Sequence, residues 1–363
     1  MADFTSEEVV RKKERGENLE GANLVRISLR GEDLSGINLR GANLQYADLS
    51  EANLNRADLS GADLSYANMG GASVTGANLE NAKMTAVEIV SSDFSEASLA
   101  GANMDDARID ECILIHANLT GASLKRSEGE NIVATGAVLD SSDLEEARIN
   151  GANLRGASLV GANLTQVKLA KSDISGADMQ GASLTRADLQ GAALFSTGLI
   201  EADLMKTSLR GIRASGADFS MANLTGADFT GAALQRAIFR SAEMAQAVLN
   251  TVKCQDGDFS FARMTYVVVE GSDLTKSSFL GATLSDAKIK KCKMNGVDLQ
   301  KAVMIGTSII GTDLSGSNLQ GADLSRAIVV GSDLSRADMT GANLVGADLQ
   351  DAKLDGTRHP SAV

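Results

Sequence analysis

A period of five residues runs through this chain, and neither an ordinary helix nor an ordinary strand can carry it. Stepping by five from Leu19 gives Leu24, Leu29, Leu34, Leu39, Leu44, Leu49, Leu54, Leu59 and Leu64, and the phase holds to Leu354 without insertion or deletion. A helix repeats its apolar residues every 3.6 positions and a half-buried strand every 2. A step of five fits neither. About 68 tandem copies mark a solenoid, in which each unit buries its apolar side only against its neighbours. Around each central Leu the pattern is fixed: Ala, Ser or Thr two before it, Asp or Asn one before it, and most often Gly two after it.

Composition supports that reading. The chain has 363 residues and is 44% hydrophobic, yet only 3% aromatic, with no Trp and one Pro. A chain of this length with ordinary globular domains would hold more large rings in its cores. Ala, Leu, Gly, Asp and Ser are spread evenly, so no linker or domain boundary is marked. The opening MADFTSEEVVRKKERG holds no apolar stretch long enough for a leader, nothing downstream reaches a span of about 20 residues, and the expected location is cytoplasmic.

Stretches such as GANLQYADLSEANLNRADLSGADLSYANM, a tandem A(D/N)LxG, resemble the pentapeptide-repeat family over roughly residues 19–356. The match rests on length and phase rather than on any single motif. The resemblance implies an all-β chain, a right-handed quadrilateral parallel β-helix with four pentapeptides per coil, about 17 coils here.

The residues offer their own check on four repeats per coil. Phe219, Phe239, Phe259 and Phe279 are all centres and recur at steps of 20, which stacks them ring on ring if one coil is 20 residues. Coils spaced like strands, about 4.8 Å apart, suit such a ladder and would make a rod roughly 80 Å long. Tyr46 and Tyr66 share the same spacing. Leu44 and Leu64 represent the regular core. Where a centre is small the inward residue two before it is large, as in Ile132 with Ala134, Ile212 with Ala214 and Val252 with Cys254, each an exchange that keeps the interior filled. Gly129 lacks such compensation, and a bulge or loosened corner is expected there.

Three segments follow. Residues 1–18 form an N-terminal segment in which Thr5 and Glu8 make a capping-box pattern, predicting a helix over 6–15. Residues 19–356 are the repeat domain. Residues 357–363 are a polar tail with no sign of a cap, so a homodimer through the C-terminal coil is expected, as the resemblance also implies.

Catalytic chemistry finds little to work with. His116 and His359 are the two histidines, one at an outward corner and one in the tail. Cys112, Cys254 and Cys292 occupy inward positions at least a coil apart, too far for disulfides and too dispersed for zinc. Asp exchanges freely with Asn before the centres, which points to a side-chain oxygen bonding the turn backbone rather than to acid–base work. A tube filled by Leu and Phe leaves no cleft, and no phosphate loop is present. The expectation is no enzyme, no cofactor and no metal.

The resemblance raises one specific function, mimicry of duplex DNA toward type II topoisomerases such as gyrase. Duplex carries one charge per about 1.7 Å, so a rod of roughly 80 Å would need about 47 negatives. The chain's net charge is -13. Residues 32–111 come closer, with a net of about -10 over about four coils against about 11 for duplex. Asp48, Glu51, Glu88, Asp110 and Glu111 are the candidate mimic acids in that stretch. Residues 276–301 have the opposite sign. With the aromatics mostly inward, direct nucleic-acid binding is not expected.

Apolar residues stand at outward positions in one zone. Val248, Val268, Ile310, Ile328 and Val330 map to one face, with Phe261 and Tyr266 at neighbouring corners and Lys288, Lys290 and Lys291 beside them. Contiguous exposed apolar surface marks a partner site. The reading is a non-catalytic, acidic interaction scaffold with a protein partner and no membrane contact. The alternatives that the resemblance implies are a DNA-mimicking modulator or protector of a type II topoisomerase, and an adaptor or cargo module of a bacterial secretion system.

Overall fold

A computed structural model describes residues 3–358. Two compact units are formed, Met1–Ser183 and Leu184–Val363, built on the same local rule. Each pentapeptide ends in a turn closed from the centre's carbonyl to the amide three residues on, as in Ala42 N to Leu39 O at 3.0 Å and Ala222 N to Phe219 O at 3.1 Å. The residue two after the centre takes a positive φ, +62° at Gly41 and +59° at Tyr46. That left-handed conformation is why Gly recurs there.

Twenty residues later the chain lies one coil on. Asn23 pairs with Asn43 and Asn43 with Asp63 in the first unit, and Asp203 pairs with Asn223 in the second, all parallel. The centre amide donates to the next coil, Leu24 N to Asn43 O at 2.7 Å, and the next coil donates back, Asn43 N to Ala22 O at 2.9 Å. Each side of the coil therefore spends only one residue on pairing. In the second unit four sides lengthen into true strands: β1 (Val268–Glu270), β2 (Lys288–Lys290), β3 (Ser308–Ile310) and β4 (Ile328–Val330), in one parallel sheet in that order. Their centres, Val269, Ile289, Ile309 and Val329, are all β-branched, the residue type that favours extended backbone.

Side chains fill the interior of each unit. Leu44, Leu64 and Phe94 in the first unit and Phe219, Phe229, Phe239, Phe259 and Phe279 in the second are fully buried. Phe219 stacks on Phe239 at 4.9 Å, Phe239 on Phe259 at 4.7 Å and Phe259 on Phe279 at 4.8 Å, each within 3° of parallel. Those centroid spacings equal the strand spacing, so the rings report the rise per coil. Phe229, ten residues out of phase, points in from the opposite side and meets Phe219 and Phe239 edge-on at 5.8 Å.

Several inward hydroxyls are satisfied by the coil below. Ser92 Oγ donates to Met69 O, and Thr207 Oγ1 to Leu184 O, both at 2.7 Å. Ile132 with Ala134, Ile212 with Ala214 and Val252 with Cys254 are all buried. Gly257 stands where Ala is usual because Cys254 fills the space: a Cβ there would sit 2.5 Å from Sγ.

The bulge expected at Gly129 is not formed. The ladder runs through it, with Glu128 N to Ala107 O and Gly129 N to Arg148 O both at 2.9 Å. What changes is the corner, a bend at 130–131 in place of a turn. The missing side chain is replaced by backbone, since a Cβ on Gly129 would meet the Ile109 carbonyl carbon at 2.7 Å.

The N-terminal helix α1 (Ser6–Glu14) has the expected capping box, with Thr5 N donating to Glu8 Oε2 at 2.8 Å and Glu8 N to Thr5 Oγ1 at 3.3 Å. Val9 is its buried residue, and Ser6 Oγ to Ser28 O at 2.6 Å and Lys13 to Asp33 at 2.8 Å tie it to the first coil. In the last coil the centres Leu344, Leu349 and Leu354 are half-buried. His359 and the tail beyond Arg358 lie outside the described residues.

Candidate functional site

The residue before each centre does what its Asp/Asn exchange suggests. Oδ1 accepts the amide two residues on: Ser35 N to Asp33 and Arg40 N to Asn38 at 3.1 Å, Met205 N to Asp203 at 3.1 Å and Thr225 N to Asn223 at 3.2 Å. Asn and Asp share that oxygen, so either serves. Where the two stack, the amide also donates, as in Asn53 Nδ2 to Asp33 Oδ1 and Asn223 Nδ2 to Asp203 Oδ1, each at 3.0 Å. These carboxylates are structural. Lys13 and Ser35 pull Asp33 down to about 2. At Asp63 burial pushes the carboxyl up, but Ser65 and Gln45 outweigh it and the net shift is down.

The thiols are sealed. Cys112, Cys254 and Cys292 are free and buried, and burial pushes each of them up, away from the reactive thiolate. His116 projects at φ +55° with its ring lying over Gly136, where a Cβ would come within 2.5 Å of Nδ1. Among the described residues no group of three His, Cys, Asp or Glu side chains is placed to hold a metal ion. No described helix is long and apolar enough to cross a membrane.

The acidic candidates are largely engaged by their own neighbours. Asp48 Oδ1 accepts Ser50 N and Oγ at 3.1 and 2.6 Å. Glu51 pairs with Arg30 at 2.6 Å, Arg108 contacts Glu88 at 3.2 Å and Asp110 at 3.6 Å, and Glu111 accepts from Ser91 Oγ at 3.0 Å. Glu88, Arg108, Glu128 and Arg148 are bridge partners on successive coils. Over these four coils one side of the first unit alternates in sign, which cancels field there rather than building the uniform potential of a phosphate backbone.

Aromatic side chains are less uniformly interior than expected. Tyr46 and Tyr66 stack outside at 5.0 Å and 7°, with the Arg26 guanidinium 5.4 Å from the Tyr46 ring, and Phe195, Phe261 and Tyr266 are exposed too.

The sheet β1 to β4 carries the other candidates. Each strand points its middle residue inward and its two flanks outward. Val268, Lys288, Ser308 and Ile328 form one outward column, and Glu270, Lys290, Ile310 and Val330 the other. Val248 extends the first column by pairing with Val268. The apolar surface is therefore not contiguous. Lys288 and Lys290 separate Val248 and Val268 from Ile310, Ile328 and Val330, a break that only register reveals. Phe261 lies over Gly281, its ring 2.9 Å from a Cβ position there, and Tyr266 precedes β1 at the adjoining corner. The strand positions bring Lys288, Lys290, Ile310, Ile328 and Val330 together and leave Phe261 at the far corner.

Comparison with known proteins places this architecture. A family model described as pentapeptide repeats, in 8 copies, matches residues 18–56, 43–81, 90–127, 130–166, 162–197, 172–211, 202–240, 253–290, 282–321 and 317–356. No curated protein matches the chain. Among solved structures, HetL of the cyanobacterium Nostoc sp. strain PCC 7120, a pentapeptide repeat protein involved in heterocyst differentiation regulation, is 22% identical, with 99% of each chain covered and a TM-score of 0.21. Rfr23 of the cyanobacterium Cyanothece 51142 is 23% identical over 32% of this chain and 90% of its own, TM-score 0.26. QnrB1, a plasmid-mediated fluoroquinolone resistance protein, is 20% identical over 63% of this chain and 93% of its own, TM-score 0.25. Scores this low carry no argument about function.

Proposed function

The chain belongs to the pentapeptide-repeat family, and from that premise we propose that it is a non-catalytic scaffold presenting outward columns of side chains to a protein partner. The observation that carries this reading is the division of labour within each pentapeptide. Inward positions are occupied by buried apolar side chains and small hydroxyl residues, such as Ser92 and Thr207, that bond the coil below, so chemical variety is concentrated in the outward columns. The depressions between turns are open to solvent, as is the one bordered by Thr251, Lys253, Asp273 and Lys291. The sheet β1 to β4 is the favoured contact face because it combines exposed Ile310 and Ile328 with unpaired lysines. Val268→Asp with Val330→Asp abolishes capture of the partner while circular dichroism stays unchanged; capture at the parental level removes the face from the proposal.

The topoisomerase-mimic reading is weaker on this geometry, because Asp33, Glu51, Glu88, Asp106 and Asp110 of residues 32–111 are ion-paired with bases of the same chain. It keeps a direct test in the supercoiling reaction. A homodimer through the C-terminal coil has the half-buried Leu344, Leu349 and Leu354 in its favour.

A further inference from the structure

The sheet β1 to β4 carries a charge pattern that its own chain does not neutralise. Lys288 and Lys290 are exposed on either side of inward Ile289, and Lys291 follows at the corner with φ +51°. Among the described residues none of the three lies within ion-pair distance of a carboxylate. Asp348 and Asp351 are exposed on the coil after β4, at the positions that Lys288 and Lys291 occupy on theirs, and among the described residues likewise meet no base. Elsewhere stacked charges find partners inside the chain, as Arg263 finds Glu243 at 3.0 Å.

Register orders these groups. Lys288 pairs with Ser308, Ser308 with Ile328, and Ile328 with Asp348; Lys290 pairs with Ile310 and Ile310 with Val330. Over four successive coils the face reads cationic, apolar, apolar, anionic. The ring spacing of 4.7 Å between Phe239 and Phe259 gives the rise from one level to the next.

We propose that a second copy of this chain docks antiparallel on the β3–β4 face, about a two-fold axis that runs along the strands between β3 and β4. This deepens the scaffold reading above by naming a partner for that face. The rotation keeps each column opposite itself and inverts the order of coils. Lys288 then faces Asp348 of the second copy, Lys291 faces Asp351, Ile310 faces Val330, and Ile328 faces Ser308. Lys288 and Lys291 each gain an opposite charge, Lys290 lies beside Glu270 of its own chain and faces the Gln350 amide, and the apolar residues meet at the centre. An axis along the stack instead sets Lys288 against Lys290. A shift by one coil buries a lysine against Ile328 and strips its ammonium of water without compensation. Another acidic protein could satisfy the lysines alone, whereas a second copy satisfies both ends of the strip in one register.

The contact strip is about 15 Å by about 10 Å, well below the roughly 800 Å² per partner of a stable interface. The dimer is accordingly weak, reversible and salt-sensitive.

Sedimentation velocity of the full chain, from micromolar to near-millimolar concentration at low and high salt, tests it. The expected result is a sedimentation coefficient that rises with concentration at low salt and much less at high salt. Lys288→Asp with Lys291→Asp weakens association about tenfold or more, Asp348→Lys with Asp351→Lys does the same, and the four changes combined restore it. Circular dichroism of each variant shows that the fold is intact. Absence of self-association, indifference to either charge reversal, or failure of the combined variant to recover overturns the proposal. Association that survives both reversals but is lost in Leu349→Asp also overturns it and places the dimer at the last coil. If the reversals have no effect while Val268→Asp with Val330→Asp still abolishes capture of a different protein, the dimer alone is wrong and the scaffold reading stands.

Discussion

Replacing Phe239 by Leu tests whether the ring ladder stabilises the second unit as a ladder or merely as apolar volume. Phe239 touches three rings, Phe219 at 4.9 Å and Phe259 at 4.7 Å by stacking and Phe229 at 5.8 Å edge-on. Phe279 touches one, Phe259 at 4.8 Å. An aromatic pair is worth about 0.5–1.5 kcal/mol beyond the area it buries. A change from Phe to Leu in a packed core costs about 1 kcal/mol in volume and shape, and that part is common to both sites. Taking about 1 kcal/mol per ring pair, Phe239→Leu costs about 4 kcal/mol and Phe279→Leu about 2 kcal/mol. Urea unfolding followed by circular dichroism reads the difference, about 2 kcal/mol, as a shift in midpoint at constant slope. Equal destabilisation at the two sites refutes the ladder and leaves only volume.

Other consequences follow from single positions. Gly129→Ala drives a Cβ to 2.7 Å from the Ile109 carbonyl carbon, so it costs about 1–3 kcal/mol. Gly181→Ala, with open space but φ +64°, costs about 1 kcal/mol, and a reversed order in urea midpoints contradicts the close approach at Gly129. At Asp228, burial pushes the carboxyl up, but the Thr230 hydroxyl, the Thr230 amide and Arg210 outweigh it and hold it below its ordinary value. A carboxylate held low contributes stability above its unfolded value that is lost as pH falls through the native one, so acid unfolding sets in below about pH 4. Asp228→Asn keeps the Oδ1 that accepts Thr230 N at 2.9 Å and loses only the exposed Arg210 pair, about 0–1 kcal/mol. Asp228→Ala costs about 1 kcal/mol more because that amide loses its acceptor; a thermal melt in which Asn and Ala are equally costly argues against the side-chain oxygen as the reason for the Asp/Asn exchange.

The five-residue phase made the architecture legible because every copy repeats the same three constraints: a left-handed corner, a small inward residue and a large one. Counting by 20 found the Phe219 to Phe279 ladder but not Phe229, which enters from the opposite side at a half-coil offset. The same count would have exposed the alternation of Glu88, Arg108, Glu128 and Arg148, had charges been traced along columns rather than summed along the chain. Summation gave residues 32–111 a net charge close to that of duplex and hid which bases lie beside which acids. The apolar positions were read one by one and not for continuity, since Lys288 and Lys290 interrupt them only once the strands are paired. Inward Ser and Thr looked like small fillers, and their bonds to the coil below follow from a 23-residue offset that no local motif displays. Gly129 looked like a defect because composition records the missing side chain and not the backbone that moves in to replace it.

The most direct test of the scaffold account is supercoiling by purified gyrase and topoisomerase IV, with and without a quinolone, over a titration of the protein at two salt concentrations. The scaffold account predicts no inhibition and no drug protection even at large molar excess. Inhibition or protection that weakens with salt, and that disappears when Glu88 and Asp110 are changed to Gln and Asn, would contradict the account and establish electrostatic mimicry instead.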